Sequence, residues 1–375
     1  MIQIFKKIKE QLHGKWWFHS QDKNIIELIL EISATIAEPF PPLLQRRFIK
    51  TFDSIGLSIY RLSNIIFSRF SPYLLLSATL KGTQKQIKVL TKGDPDSFST
   101  ITTQLCSDIK QIKKINKKKA VNWWKHPQDT SNNTIDIFIA KSDMFFKKHY
   151  KKHNCKILPE YISFHLDTTK NLNEILSTVS SDIKKDIEKA QQTGYTYQIR
   201  NDKLAFSYFY HHMYKPYMKW KHKKSNRIAS YATIRHLAAQ GAEILFIKHN
   251  DSNIFGGMFL EEDNMLKTHY AGLMNGKFNH LHNGVMALSY YFLIKIAKQR
   301  KCHTIDFGTA PPFMQDGLYV YKSKWNMDVV SRSPFFSDIF AVKILNRNSI
   351  IEEFIRTRPF HVLKNNEVSE YQKKM

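Results

Sequence analysis

The chain has 375 residues, with 57 Lys+Arg against 32 Asp+Glu, a formal charge of +25 and a pI of about 9.7. At ~150 residues per domain, that length points to two or three domains. A composition that is 42% hydrophobic and 13% aromatic excludes a wholly disordered basic protein. The three well-separated cysteines, Cys106, Cys155 and Cys302, exclude a disulfide scaffold and a Cys-x-x-Cys zinc site, and they suit a reducing, cytoplasmic setting.

No charge-free run of about 18 apolar residues is present, so no transmembrane helix is expected. Lys6, Lys7 and Lys9 stand where a signal peptide needs an apolar run. Ile2, Ile4, Phe5, Ile8, Leu12, Trp16 and Trp17 fit a basic amphipathic helix. Such a helix suits the protein's own core or the anionic inner face of a membrane. Residues 1–134 read as a mainly helical N-terminal region, from the apolar spacing in KNIIELILEISATIAEPF, RRFIKTFDSIGLSIYRLSNIIFSRF and FSTITTQLCSDIKQIKKI. The polar stretch HPQDTSNNT (126–134) reads as a linker.

Beyond it, DIFIA (136–140) and EYISFHLD (160–167) read as strands. NLNEILSTVSSDIKKDIEKAQQTG (171–194) is helical with a break near Ser180, and Gly194 ends it. YTYQIR (195–200) is strand-like, and two helices follow within KLAFSYFYHHMYKPYMKW and RIASYATIRHLAAQ. GAEILFIKHND, SNIFGGMFLEED and NMLKTHYAGLM, separated by turn-like HNDSN and EEDN, predict an antiparallel meander. Then come a long helix (284–301), the buried strand CHTIDFG (302–308), a short helix (317–325), a last strand in MDVVSR and a helical tail over 341–375. The whole predicts an α/β (α+β) domain over 135–340 with a mixed, mostly antiparallel sheet flanked by helices.

The positive charge is clustered. One group, Lys110, Lys113, Lys114, Lys117, Lys118, Lys119 and Lys125, surrounds Trp123 and Trp124. A second spans Lys147 to Lys156 with His149 and His153. A third holds Lys221, Lys223 and Lys224 beside Trp220. Lysines beside aromatics suit a polyanion, either RNA (tRNA included) or an anionic membrane surface; a merely solvated basic face is the alternative.

The order meander, long helix, strand ending in Asp-Phe-Gly, short helix with Tyr-Lys, final strand resembles the acyltransferase fold of the GNAT superfamily. It is closest to the branch holding the Fem-type aminoacyltransferases and polysaccharide-associated acetyltransferase-like domains. SSDIKKDIEKAQQTGY (180–195), FGGMFL (255–260), YAGLM (270–274), IDFGTAP (305–311) and YKSKWN (321–326) carry the resemblance, over about residues 160–335. It implies an acyl donor, acyl-CoA or aminoacyl-tRNA, and strands that splay apart to admit the acyl group. Gly256, Gly257, Tyr270 and Gly272 would line that notch, although close backbone approach or a bulge explains the glycines equally. His282, Asn283 and Gly284 (NHLHNGVMAL) occupy the place of the Gly-rich pyrophosphate loop, but only one glycine is there. Fem-type enzymes carry two copies of the fold, and residues 1–135 show no second copy by sequence.

Asp306, at the end of a buried strand, is the candidate general base, or else a strand-end residue bonded to backbone. Lys322, in the following helix, is the candidate for charge on a phosphate or oxyanion, or else a surface lysine. Tyr270 joins them as the third catalytic candidate, while Tyr319 and Tyr321 read as packing residues. His269, His280 and His282 lack a carboxylate or cysteine at ligand spacing, so no metal is expected. Nucleophile-elbow, Walker and HExxH motifs are absent from the sequence. The chain therefore reads as an acyl- or aminoacyltransferase using direct attack of an amine or hydroxyl, without a covalent enzyme intermediate. The alternative is a non-catalytic basic protein of the same fold that binds RNA or an anionic membrane.

Overall fold

The computed structural model describes residues 71–92, 99–117, 135–142, 146–221, 228–277, 279–331, 339–346, 349–364 and 367–371, besides a few isolated positions. The N-terminal amphipathic segment, the 126–134 linker, Lys223 and Lys224 lie outside them.

Strands β1 (Tyr73–Leu80) and β2 (Gln86–Lys92) form a hairpin whose turn places Gly82 at φ +76°. After helix α1 (Ser99–Leu105), strand β3 (Cys106–Ile115) returns to pair antiparallel with the other edge of β1. Within residues 71–117 these three strands stand where helix was expected, with α1 the exception. YLLLSATL is a continuous apolar run buried on both faces, the pattern of an interior strand. Ile109, Ile112 and Ile115 have helical spacing, yet they lie on an edge strand in which only the end positions escape full exposure.

Strand β4 (Ile137–Ser142) joins β2 in parallel. Helix α2 (Lys147–Lys152) leads to β5 (Lys156–Pro159). The second sheet opens with β6 (Ile162–Asp167), then α3 (Leu172–Thr178), closed at its start by a capping box between Asn171 and Glu174. Helix α4 (Ser181–Gln192) follows and ends at Gly194, φ +76°. Strand β7 (Thr196–Arg200) precedes a continuous helical rod of α5 (Lys203–Tyr208), a π-helical turn (Phe209–Tyr214) and α6 (Lys215–Lys221). Helix α7 (Tyr231–Ala239) leads into the expected meander β8 (Glu243–His249), β9 (Ser252–Glu262) and β10 (Met265–Leu273). Both of its turns are two-residue connections with positive φ, Asn250–Asp251 and Asp263–Asn264, where the short Asx side chains tolerate the left-handed region. The long helix α8 (Val285–Gln299), β11 (Thr304–Ala310), α9 (Gly317–Ser323) and β12 (Asp328–Ser331) complete the expected order.

The tail is not helical throughout. It contains β13 (Ile339–Ile344), the single helix α10 (Ser349–Thr357) and the hairpin β14 (Phe360–Lys364) with β15 (Glu367–Tyr371). IFAVKI is a strand because the first sheet has an apolar slot for it between β4 and β5.

That slot is the key to the architecture. The first sheet has the order β3-β1-β2-β4-β13-β5 and the second β12-β6-β11-β10-β9-β8-β7. In each, a parallel pair (β2 with β4, β10 with β11) is followed by two antiparallel pairings. The strand in the equivalent slot is exchanged: β6 leaves the end of the first unit for the second sheet, and β13 leaves the second for the first. The β2–β4 pairing thus crosses the boundary expected at residue 134.

In the second sheet, α3, α4 and α8 cover one face through Ile175, Ile183, Ile187, Leu288 and Ile294. The helical rod and α7 cover the other through Phe206, Phe209, Met213, Ile234 and Leu237. Among the described residues, no helix is long and apolar enough to cross a membrane.

Candidate active site

Parallel strands β10 and β11 are in register only from Met265↔Thr304 to Lys267↔Asp306. Beyond that pair no ladder joins them, although β10 continues to Leu273 and β11 to Ala310. The sheet therefore parts beside Asp306. The long helix α8 spans the connection between the two strands and packs Tyr290 flat on Phe307, ring centroids 4.2 Å apart, which fixes the face that Asp306 does not use.

Asp306 sits at the last paired position and its side chain is part-buried. One carboxylate oxygen accepts the Gly308 N–H at 2.8 Å, while the other is 3.8 Å from His165 Nε2, too long for a hydrogen bond. His165 is directly opposite Asp306 in the β11–β6 ladder. Burial pushes the Asp306 carboxyl up, but His165, the Gly308 N–H and the Lys322 charge outweigh it and hold the group below the usual carboxylate range.

Lys322 is 3% exposed, so it is not a surface lysine. Helix α9 begins at Asp316, whose carboxylate accepts the Leu318 and Tyr319 N–H groups, and this cap aims the second turn at the parted strands. Lys322 Nζ donates to the Thr309 carbonyl at 3.1 Å and lies 5.3 Å from the Phe164 ring centroid. Gly308 has φ +77°; a Cβ there would lie 3.7 Å from Thr268 Oγ1 and 3.8 Å from Lys322 Nζ, so strand edge, glycine and ammonium converge. Burial lowers the Lys322 pKa to about 8; Asp306 and Asp316 oppose that shift and Lys221 adds to it. Lys221, at the end of α6, has its ammonium 5.6 Å from the Tyr217 ring centroid.

Asp306 and Lys322 are therefore brought together. Tyr270 turns toward the helical rod, its ring 5.0 Å from Tyr214. Gly256 and Gly272 face each other across β9 and β10, which stay paired there. A Cβ at Gly272 would come within 2.5 Å of the Met213 and Tyr214 backbone, and one at Gly256 within 2.7 Å of Phe209. Their observed work is to seat the π-helical turn, while Gly257 meets only the Phe255 ring. Gly284, φ +75°, is pressed on α4: a Cβ would lie 2.1 Å from the Asp186 carbonyl oxygen. Beside it, the His282 carbonyl accepts from Lys189 Nζ at 2.7 Å. His280 bonds the Tyr195 hydroxyl at 3.1 Å. Tyr319 bonds His361 at 3.1 Å. Among the described residues no group of three or more His, Cys, Asp or Glu could hold a metal ion.

Sequence reasoning missed His165, Thr268 and Asp316. The first two reach Asp306 only through sheet register; Asp316 carried a local signal, as an Asp directly before a helix.

No family model matches the chain, and no curated protein matches it in sequence. Among solved structures, FemX is similar at 14% identity and TM-score 0.39, covering 75% of this chain and 86% of that one. L-PGS from Bacillus licheniformis is similar at 12% identity and TM-score 0.36, covering 75% and 83%. A tandem GNAT protein from the clavulanic acid biosynthesis pathway is similar at 8% identity and TM-score 0.31, covering 64% and 76%. Such scores mark a loose likeness.

Proposed function

We propose that the chain is an acyl- or aminoacyltransferase whose reaction takes place where β10 and β11 part. The observation that carries this reading is a nearly fully buried lysine, Lys322, set against an ionised carboxylate, Asp306, at that opening. With its pKa about 8 the ammonium remains mostly charged at neutral pH, in a site dry enough for its charge to act strongly. It would balance negative charge developing on the donor carbonyl as an acceptor amine or hydroxyl attacks directly, with no covalent enzyme intermediate. A carboxylate held below its usual range is a weak base. Asp306 is therefore assigned to the nucleophile's proton jointly with His165, which receives the proton while the carboxylate stabilises the resulting imidazolium.

Between the two donors, packing favours the ester of an aminoacyl-tRNA over a coenzyme A thioester. The Gly284 backbone, which in a phosphate loop would approach a pyrophosphate, here meets Asp186 of α4. Lys221, with Lys223 and Lys224 after it in sequence, supplies positive charge that suits a polynucleotide.

Incubation with aminoacyl-tRNA or acyl-CoA and a panel of amine and hydroxyl acceptors tests the reading. Acceptor-dependent discharge of the tRNA, lost in Asp306→Asn, is expected. Salt-sensitive tRNA binding with no discharge of either donor would leave a binding protein and sink the enzyme reading.

A further inference from the structure

Among the described residues, strand β3 is an edge of the first sheet, paired only to β1. Eight of its ten residues, from Ser107 to Lys114, are exposed. Lys110, Lys113 and Lys114 lie on this stretch with Lys117 just beyond, against the single acidic residue Asp108. Lysines on an edge strand have an ordinary use, which is to stop a second chain from pairing there. That use does not account for Ile109 and Ile112, which sit between the lysines and are 38% and 50% exposed. Exposed isoleucines on an edge favour the very association that lysines oppose. The combination fits a surface that is anionic outside and apolar just beneath.

We propose that β3 is the contact by which this protein docks on an anionic phospholipid bilayer. The ammonium groups meet lipid phosphates while Ile109 and Ile112 enter the boundary between headgroups and acyl chains. RNA fits this strand poorly. Cys106–Ile115 contains no aromatic ring to stack a base and no arginine to fork a phosphate, and isoleucine gains nothing from a ribose-phosphate chain. The proposal is independent of the transferase reading.

The test is co-sedimentation of the full chain with vesicles of phosphatidylglycerol and phosphatidylcholine, beside vesicles of phosphatidylcholine alone. The wild-type chain is expected on the anionic vesicles only, and less at high salt. Lys110→Gln, Lys113→Gln and Lys114→Gln combined should lower partitioning about 100-fold, at roughly a few-fold to tenfold per lysine. The corresponding triple Lys→Arg should keep it, and Ile109→Ser with Ile112→Ser should lower it several-fold with the charge untouched. Lys148→Gln, Lys151→Gln and Lys152→Gln on exposed α2 positions make the same charge change elsewhere. Equal loss in both Gln triples would make binding a diffuse effect of net charge and overturn the assignment. So would a wild-type chain that ignores anionic vesicles, or a β3 triple that loses only RNA binding. Circular dichroism establishes that each variant is folded.

Discussion

Replacing Lys322 by methionine should make the protein more stable and inactive at once. In the native state the ammonium is buried, and its pKa falls from 10.5 to about 8. At ~1.4 kcal/mol per pKa unit, the penalty for keeping it charged in the fold is ~3 kcal/mol. Below pH 8 native and unfolded chains are both protonated, so the whole penalty acts. Between pH 8 and 10.5 the native chain releases the proton while the unfolded chain keeps it, so wild-type stability rises through that window. Methionine has a similar length and carries no charge, but it leaves the Thr309 carbonyl without its donor, at ~1 kcal/mol. Lys322→Met should therefore gain ~2 kcal/mol at pH 7 and come within ~1 kcal/mol of wild type at pH 10. Urea unfolding of both proteins at the two pH values measures this, and the difference between them cancels the titrating groups that Lys322 does not influence. A variant less stable than wild type at pH 7, or a gap that does not close by pH 10, would refute the claim of a desolvated ammonium. The same variant should fail to discharge an acyl donor, which separates a site residue from a packing residue.

Asp306→Asn should cut turnover ~10²–10⁴-fold with the fold intact, the usual loss for proton-transfer groups; steady-state kinetics near the wild-type value would remove the carboxylate from the chemistry. Because Asp306 supports the Lys322 charge, the same change should also move the alkaline limb of the pH–rate profile to lower pH. Gly272→Ala should destabilise by ~1–3 kcal/mol or more, because its Cβ meets backbone of the π-helical turn, whereas Gly257→Ala meets one rotatable ring and should lose far less; equal melting temperatures would refute the close-packing account. A single protease cut within 126–134 should leave two fragments that co-elute in gel filtration, since the β2–β4 pairing holds the first sheet together across it; free separation under native conditions would count against the shared sheet.

The meander was legible because its strands are separated by Asx pairs that tolerate positive φ, so pattern and turn chemistry agreed. Asp306 and Lys322 were legible because strand, turn and short helix are consecutive and bring them together locally. His165 was not, because it reaches Asp306 from 141 positions away, through the strand exchanged between sheets. The same exchange hid the first sheet: strand β13 completes it from the far end of the chain, and no local pattern announces a partner so distant. In β3 the local signal pointed the wrong way. Ile109 and Ile112 have the spacing of a helix's buried face, yet neither is buried, so tertiary pairing with β1 overrode the periodicity.

The exchange of β6 and β13 also has a temporal side. During synthesis β4 and β5 emerge roughly 180 residues before the strand that belongs between them. At ~5–20 residues per second that interval lasts on the order of 10–40 s, long compared with the folding of most small domains. The nascent first unit must wait with two unpaired strand edges and an apolar groove, Ile137, Ile139 and Leu158 among its walls. Any chain that terminates early keeps that groove permanently open. Such a gene product is obliged to finish before its beginning can fold, and it marks its own truncated forms as substrates for chaperones and proteases.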